Sequence, residues 1–168
     1  MKTRYIYCDS CVFLAYFNAE TGRVKTLEQL FEEIQRDSER KLITSVLSIV
    51  EVSNLAEERG KTRSRLRTDF DEKLNTFWAD ISLLEFVEFH EPMARKARDL
   101  IRQAIGQGYT LKTIDAIHLV SASYAGAIEF FTYDNELFKY GQMIGYSIRE
   151  PYVAAPQLPL QYHDDESR

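Results

Sequence analysis

Four acidic residues stand where carboxylate chemistry is easiest to build from sequence. Asp9 ends the run YIYC, Asp134 follows EFFTY, and Asp115 opens the segment DAIHLVSASYAG. Glu51 lies within the apolar segment SIVEVSNL, where a buried acid needs a partner. Taken singly, Asp115 suits the first turn of a helix, Asp134 suits a turn and Glu51 suits a solvated face. Asp9 is harder to dismiss, because a strand of that composition has no structural reason to end in a charge.

If the four carboxylates converge, their repulsion decides what must accompany them. Two unit charges ~6 Å apart at an effective dielectric constant of ~20 repel by roughly 3 kcal/mol. Six such pairs amount to on the order of 15 kcal/mol, which rivals the stability of a whole domain. Such a cluster must hold protons or a cation, and an all-oxygen set suits Mg²⁺ or Mn²⁺. Mg²⁺ commonly binds carboxylates together with substrate phosphates, so the implied chemistry is that of phosphodiester or phosphoryl groups.

The Cys-x-x-Cys sequence around the first acid suggests a competing chemistry, that of a redox-active thiol pair. Cys8 and Cys11 lie between a predicted strand and a predicted helix, which is the context of a thioredoxin-like site. Asp9 between them would raise the pKa of a neighbouring thiol by like-charge repulsion. Zinc would need further ligands, and the histidines are scattered without paired spacing: His90, His118 and His163. We therefore interpret the cysteines as packing residues and the aspartate as the working group.

The elements that must position the acids alternate between short strands and helices. Aromatic and β-branched runs predict five strands: RYIYC, KLITS, SLLEFVEF, AIEFFTYD and YSIRE. Helical spacing predicts the helices between them: VFLAYF, the segment with Leu27, Leu30, Phe31 and Ile34, SIVEVSNLAEERG closed by Gly60, residues 61–80, a helix opened by Pro92 and closed by Gly106 or Gly108, DAIHLVSASYAG capped by Thr113, and NELFKYG. This alternation indicates an α/β fold with a mostly parallel sheet. Ligands of such sheets gather at the carboxyl ends of the strands, where the acids fall.

Composition and charge describe an ordinary globular domain. The chain has 168 residues, a hydrophobic fraction of 45% and a formal net charge of -5, which argues against DNA binding through bulk charge. We expect one domain over residues 1–150 and a C-terminal tail over 151–168, because the tail contains three of the four prolines. No apolar run approaches the ~20 residues of a membrane span and no signal peptide is recognisable, so we expect a cytoplasmic protein.

Four segments in this order resemble the PIN-domain ribonucleases, particularly the VapC-type toxins: DSCVFLAYF, SIVEVSNL, TIDAIHLVSA and FFTYDNELF. The resemblance runs from about Tyr5 to Arg149. It implies a three-layer α/β/α sandwich with a mostly parallel central sheet. It also implies a Mg²⁺- or Mn²⁺-dependent endoribonuclease that cleaves single-stranded or looped RNA, is silenced by an antitoxin protein and forms a homodimer.

The resemblance also assigns roles to individual residues. The family's catalytic and metal-binding acids correspond to Asp9, Glu51, Asp115 and Asp134. The small polar residue after the first acid is Ser10, and the hydroxyl two residues before the last acid is Thr132, which would contact the ligands or a metal-bound water. The cysteines around the first acid and the proline-containing tail lie outside the family pattern.

Other readings compete with the nuclease. A PIN fold that has lost catalysis would serve as an RNA- or protein-binding module. A haloacid dehalogenase-type phosphatase would need Asp-x-Asp after the first strand, but Asp9 is followed by Ser10 and Cys11. A response-regulator receiver would need paired acids before its phosphorylated aspartate, and none is suitably placed.

Further residues are candidates for contacts with RNA or with a second copy of the protein. A short basic run is predicted either to be a solvated helix face or to contact RNA phosphates: Lys61, Arg63, Arg65 and Arg67. Arg95, Lys96, Arg98 and Arg102 make a similar, weaker case. His118 lies one helical turn after Asp115, and we interpret it as a packed helix residue. An apolar stripe is predicted to be core or dimer surface: Phe70, Leu74, Phe77 and Trp78.

Overall fold

Alternation along the first strand divides the molecule into two sides. The computed structural model describes residues 3–59 and 68–153, with side chains described for 3–53 and 70–153. Ile6 and Cys8 belong to one buried apolar cluster, whereas Tyr7 belongs to a second. Neighbouring strands divide in the same way, since successive side chains of a strand point to opposite faces. The central sheet is therefore covered on both faces.

The described residues form five strands and seven α-helices. The strands are β1 Arg4–Cys8, β2 Arg40–Ser45, β3 Leu84–Val87, β4 Glu129–Phe131 and β5 Ser147–Arg149. The helices are α1 Ser10–Phe17, α2 Val24–Arg36, α3 Leu47–Arg59, α4 Thr68–Trp78, α5 Glu91–Gly106, α6 Thr113–Tyr124 and α7 Gly141–Ile144, with a 3₁₀ helix at Asn135–Tyr140. None of these helices is long and apolar enough to cross a membrane.

All five strands are parallel, in the order β3-β2-β1-β4-β5. Helices α1, α2, α3 and α4 contribute to the first cluster, and α5 and α6 contribute to the second. The predicted three-layer α/β/α sandwich is confirmed. The strand order reverses beside β1, because β2 follows on one side of it and β4 returns to the other. In open α/β sheets this switch point leaves a crevice outside the carboxyl ends of the strands.

The aromatic stripe of α4 belongs to the core. Leu74 is buried in the first cluster, and Phe70, Phe77 and Trp78 pack against it. Phe13 of α1 meets Phe77 and Trp78 edge-on, with ring centroids 5.8 and 5.0 Å apart. The core alternative for this stripe is therefore confirmed.

Several local predictions differ from the structure. Helix α6 begins at Thr113 itself, and the N-cap position is held by Lys112, whose side chain forms no capping bond. The prediction that Thr113 caps this helix is wrong by one residue. NELFKY forms a 3₁₀ helix that leads directly into α7. Residues 60–67, which include Gly60 and the basic run, lie outside the described residues.

Only three residues of the predicted tail can be described. Residues 151–153 have no regular secondary structure, and Val153 packs against the first cluster. The Tyr152 hydroxyl donates to Glu129 at 3.2 Å. The domain boundary at residue 150 stays a prediction.

Candidate carboxylate site

Asp9 leaves β1 at its carboxyl end and holds the start of α1. Its Oδ1 accepts a hydrogen bond from the Ser10 backbone N–H at 2.8 Å, which caps the helix. Its Oδ2 accepts from the Thr132 hydroxyl at 2.8 Å and from the Cys11 thiol at 3.3 Å. Only 8% of the residue is exposed. The local fold thus buries this charge and fixes both of its oxygens.

Glu51 reaches the same place from α3. Its Oε2 accepts from the Ser10 hydroxyl at 2.8 Å and lies 2.6 Å from Nε2 of His118. Burial, the largest single influence, raises the pKa of Glu51, but the hydrogen bonds and the charge of His118 outweigh it and bring the pKa below its ordinary value. Ser10 also lies 3.3 Å from Oδ1 of Asp9. Its hydroxyl therefore links the first two acids, in keeping with the supporting role expected of it.

Asp115 lies in the first turn of α6, where backbone N–H groups favour an anion. Burial and then the negative charge of Asp9 raise its pKa from 3.8 to about 6, with a further contribution from Asp134. Lys112 opposes the increase without forming an ion pair. Among the hydrogen bonds of the described residues, none reaches the Asp115 carboxylate. Burial and, after it, the charges of the neighbouring acids therefore destabilise the ionised form of Asp115.

Asp134 lies just beyond β4 and caps the 3₁₀ helix. Its Oδ1 accepts from the Glu136 backbone N–H at 2.9 Å, and its own N–H donates to the Thr132 hydroxyl at 3.0 Å. Thr132 therefore contacts Asp9 through its hydrogen and Asp134 through its oxygen. The strands pair here as well, since the Asp9 N–H donates to the Phe131 carbonyl at 2.9 Å.

The structure places all four acids at the carboxyl ends of the strands or in the helix turns beside them. Over the part of the chain with described side chains, no Lys or Arg forms an ion pair with any of the four. Within that same part, no three His, Cys, Asp or Glu side chains stand as a ready coordination group. The acids are therefore neighbours in one crevice, but their oxygens are not gathered into a coordination shell.

The sequence predicts only a packing role for His118, whereas the structure places its ring against Glu51 in the carboxylate site. It is 1% exposed, and its Nε2 contacts Glu51 and lies 3.9 Å from Oδ1 of Asp9. Burial, the largest influence, lowers its pKa, but the bond to Glu51 and the charges of Asp9 and Asp115 outweigh it and raise the pKa. The available signal was its helical spacing from Asp115, which puts both on the side of α6 that meets the site.

The two cysteines are free and serve different places. Cys8 is fully buried in β1, whereas Cys11 lies 3.2 Å from the Thr132 hydroxyl and accepts from the Tyr133 N–H at 3.2 Å. Burial first, and then the charge of Asp9, raises the pKa of both thiols. Reactive cysteines need a lowered pKa, so this environment disfavours a thiol redox site. Cys11 supports the carboxylate as well as packing.

Among the described cations predicted as binding candidates, none forms an ion pair with the four acids: Arg95, Lys96, Arg98 and Arg102. Lys61, Arg63, Arg65 and Arg67 lie outside the described residues. Arg95 and Arg98 form ion pairs along α5 with Glu91 and Asp99. Near the site, the guanidinium carbon of Arg23 lies 4.0 Å from the ring centroid of Tyr133, the residue before Asp134.

Comparison with known proteins gives a family and a set of similar folds. A PIN domain model matches residues 6–142. VapBC2 from Rickettsia felis, solved with a DNA fragment from its promoter, has a TM-score of 0.67 at 12% identity over 87% of this chain and 98% of that one. VapC20 of Mycobacterium tuberculosis, described as a sarcin-ricin loop cleaving toxin, has a TM-score of 0.61 at 15% identity over 81% and 95%.

DNA-bound VapBC from Salmonella typhimurium has a TM-score of 0.59 at 16% identity over 89% of this chain and 98% of that one. No curated protein matched the sequence. At these identities the solved structures show the fold, whereas the family model covers most of the chain. Together with the parallel sheet and the acids at its carboxyl ends, this match shows that the chain belongs to the PIN domain family.

Proposed function

We propose that this protein is a metal-dependent endoribonuclease that hydrolyses RNA phosphodiester bonds as the toxin of a toxin–antitoxin pair. One observation carries the proposal. Four acids share the crevice at the sheet's switch point, and no lysine or arginine of the described residues pairs with them. His118 pairs with Glu51 and approaches Asp9, but Asp115 has no ion-pair partner within the described residues, so part of the cluster's charge stays open to a cation.

The residues present fit a divalent cation in their chemistry. The donors are carboxylate oxygens, which suit Mg²⁺ or Mn²⁺. Asp115, with a pKa of about 6 and repelled by Asp9 and Asp134, is the acid that a cation would relieve most. The hydrogen bonds to Glu51 both end on Oε2, and none within the described residues uses Oε1. We assign the cation to Asp9, Glu51, Asp115 and Asp134.

The chain's own residues would prepare this site before the metal and RNA arrive. The Ser10 backbone N–H and the side chains of Cys11 and Thr132 fix the orientation of the Asp9 carboxylate through three hydrogen bonds. Asp115 lies in the first turn of α6, where the helix dipole favours a negative charge. When bound, the cation supplies an activated water and neutralises charge on the scissile phosphate.

The substrate and partner follow from the kind of proteins that share this fold. One neighbour is described as cleaving the sarcin-ricin loop, and two are complexes bound to DNA. We infer a structured RNA substrate, an antitoxin partner and a homodimer acting in the cytoplasm. The basic run of Lys61, Arg63, Arg65 and Arg67 stays a proposed phosphate contact.

The test compares wild-type protein with Asp115→Asn on labelled structured RNAs, one of which carries the sarcin-ricin loop, in Mg²⁺, in Mn²⁺ and in EDTA. We expect cleavage by wild type that EDTA and the substitution abolish. Asp37→Asn is the matched control, because Asp37 lies at the opposite end of the sheet and pairs with Arg40 at 2.6 Å. Its cleavage should equal that of wild type.

The absence of a ready coordination group among the described side chains favours a second candidate, a PIN fold that binds RNA or protein without cutting it. The same experiment separates the two. Folded wild-type protein that cuts no RNA and binds no Mn²⁺ by calorimetry would replace the nuclease with this binding module.

A further inference from the structure

A buried chain of hydrogen bonds connects the end of β2 with Glu51. The Ser45 backbone N–H donates to the Tyr7 hydroxyl at 3.0 Å, and that hydroxyl lies 2.7 Å from Nδ1 of His118. Nε2 of the same ring lies 2.6 Å from Oε2 of Glu51. Tyr7, Ser45 and His118 are each 1% exposed or less. These hydrogen bonds thus link β2, β1 and α6 through side chains that water does not reach, and they end on Glu51 of α3.

The donors in this chain can be assigned from the groups themselves. A backbone N–H can only donate, so the Tyr7 oxygen accepts from Ser45 and keeps its own hydrogen for another partner. Nδ1 of His118 is the acceptor that lies within reach. Nε2 faces a carboxylate oxygen, which only accepts, so Nε2 carries hydrogen and donates to Glu51. In the neutral ring Tyr7 therefore selects the tautomer that presents a donor to the acid, and a protonated ring presents the same Nε2–H.

The frame that holds this donor is rigid. The Tyr7 ring stacks on Phe130 with centroids 5.0 Å apart and an interplanar angle of 13°, and it meets the His118 ring edge-on. Glu51, in contrast, stands on a helix with its side chain 22% exposed and rotatable bonds of its own. The rigid donor therefore acts on the flexible partner, and it fixes the oxygen that it contacts.

We propose that His118 is a positioning residue of the carboxylate site: its Nε2–H holds Oε2 of Glu51, which leaves Oε1 as the oxygen available to the cation. Ser10 donates to the same Oε2 at 2.8 Å and reinforces the assignment. The inference rests on the proposed function, because it gives Glu51 its orientation toward a metal. Partners that orient a ligating carboxylate change metal affinity without touching the metal.

The test measures Mn²⁺ affinity by titration calorimetry in wild type, His118→Gln and His118→Asn, with thermal melting to verify folding. The glutamine amide reaches as far as Nε2 and can donate to Glu51, whereas the shorter asparagine amide ends near the Nδ1 position. We expect His118→Asn to bind Mn²⁺ about 10- to 100-fold more weakly. His118→Gln should stay within about threefold of wild type, a difference below that of one lost hydrogen bond. Because asparagine also leaves a larger gap than glutamine at this buried position, the melting temperatures of the two variants separate a loss of packing from the loss of the donor.

Two further variants protect the result from a folding defect. Tyr7→Phe retains the ring but removes the hydroxyl that selects the tautomer, so it should weaken Mn²⁺ binding although Tyr7 does not contact Glu51. Ser121→Ala is the matched control, because Ser121 is buried one turn along α6 and its hydroxyl has no partner within the described residues. This control should bind Mn²⁺ as wild type does.

Each of the other possible results of the Mn²⁺ titrations contradicts one part of the proposal. If wild type binds Mn²⁺ and His118→Asn and Tyr7→Phe bind it equally well, the positioning role is wrong and the nuclease proposal stands. If both amide variants lose affinity to the same degree, His118 acts through packing. If wild type binds no Mn²⁺ at all, the proposed function fails and the inference fails with it.

Discussion

Acidic side chains at the two ends of the sheet have opposite electrostatic environments. At the amino ends of the strands, Asp37 pairs with Arg40 at 2.6 Å and Glu85 pairs with Lys41 at 2.7 Å. At the carboxyl ends, Asp115 has no cationic partner within the described residues and its pKa rises to about 6. The pKa of Asp37 falls instead, chiefly through its bond from the Glu39 N–H and then through Arg40.

The comparison teaches that charge balance, rather than the shape of the surface, marks the candidate site. A cavity of about 260 Å³ lies at the amino ends, lined by Asp37, Arg40, Lys41 and Glu85 among others. Its charged groups form ion pairs with one another, so few unpaired charges are available to bind a ligand. At the carboxyl ends His118 pairs with Glu51, but Asp115 keeps a charge that no ion pair within the described residues balances, which is the property that a cation-binding site needs.

The largest difference should be in catalysis. Asp9→Asn keeps a cap for α1 but removes the charge at the centre of the cluster, so RNA cleavage should fall by about a hundredfold or more, since metal-ion stabilisation is worth several kcal/mol. Asp37→Asn makes the same chemical change at the other end and should leave cleavage unaltered. Single-turnover cleavage assays in Mn²⁺ would check both. Equal losses of RNA cleavage in the two variants would contradict the proposed difference between the two ends of the sheet.

A smaller effect, of unusual sign, is expected on stability. In EDTA above pH 6, Asp115→Asn should be more stable than wild type, by on the order of 1 kcal/mol after solvent screening. The folded pKa is raised from 3.8 to about 6, so the folded state binds the extra proton and wild type loses stability as the pH rises between these values. The advantage of the variant should vanish below about pH 4. Urea unfolding at several pH values would measure it, and a variant less stable at pH 7 would contradict it.

The smallest effect belongs to the paired end. Asp37→Asn should lower stability at pH 7 by about 0.5 kcal/mol, as expected for a partly exposed ion pair. Because the folded pKa of Asp37 is lowered, its contribution is present above the unfolded value and is lost as the pH falls through the folded one. The two unfolding curves should therefore converge in acid. A gap that does not narrow as the pH falls below 3.8 would show that the effect is not electrostatic.

Local composition predicted the fold well. The run RYIYC forms β1 at the predicted bounds, because aromatic and β-branched residues suit a strand buried on both faces. The parallel sheet followed from alternation of the elements, and it placed the acids at one edge. The start of α6 was misplaced by one residue, because the extended residue before the helix, Lys112, has no capping side chain that could mark the boundary in the sequence.

The candidate site was predicted less completely, because part of it depends on contacts between distant segments. Nothing near His118 in the sequence indicates that Tyr7 and Glu51 will flank its ring. Cys11 likewise reads as a packing residue until Thr132 is brought beside it. Spacing along one helix can be read from sequence, whereas the meeting of α3, α6 and β1 depends on how the whole sheet packs.

The pairing of β1 with β4 has a consequence for the protein while it is still being made. The ribosome makes β1 more than a hundred residues before β4, the strand that pairs with one of its edges, and Asp134 follows β4. Contacts between segments so distant in sequence form slowly, because the long loop between them must close first. A growing chain therefore cannot display the complete acidic crevice, and premature termination yields fragments without it. The set of four acids is complete only after residue 134 has been made.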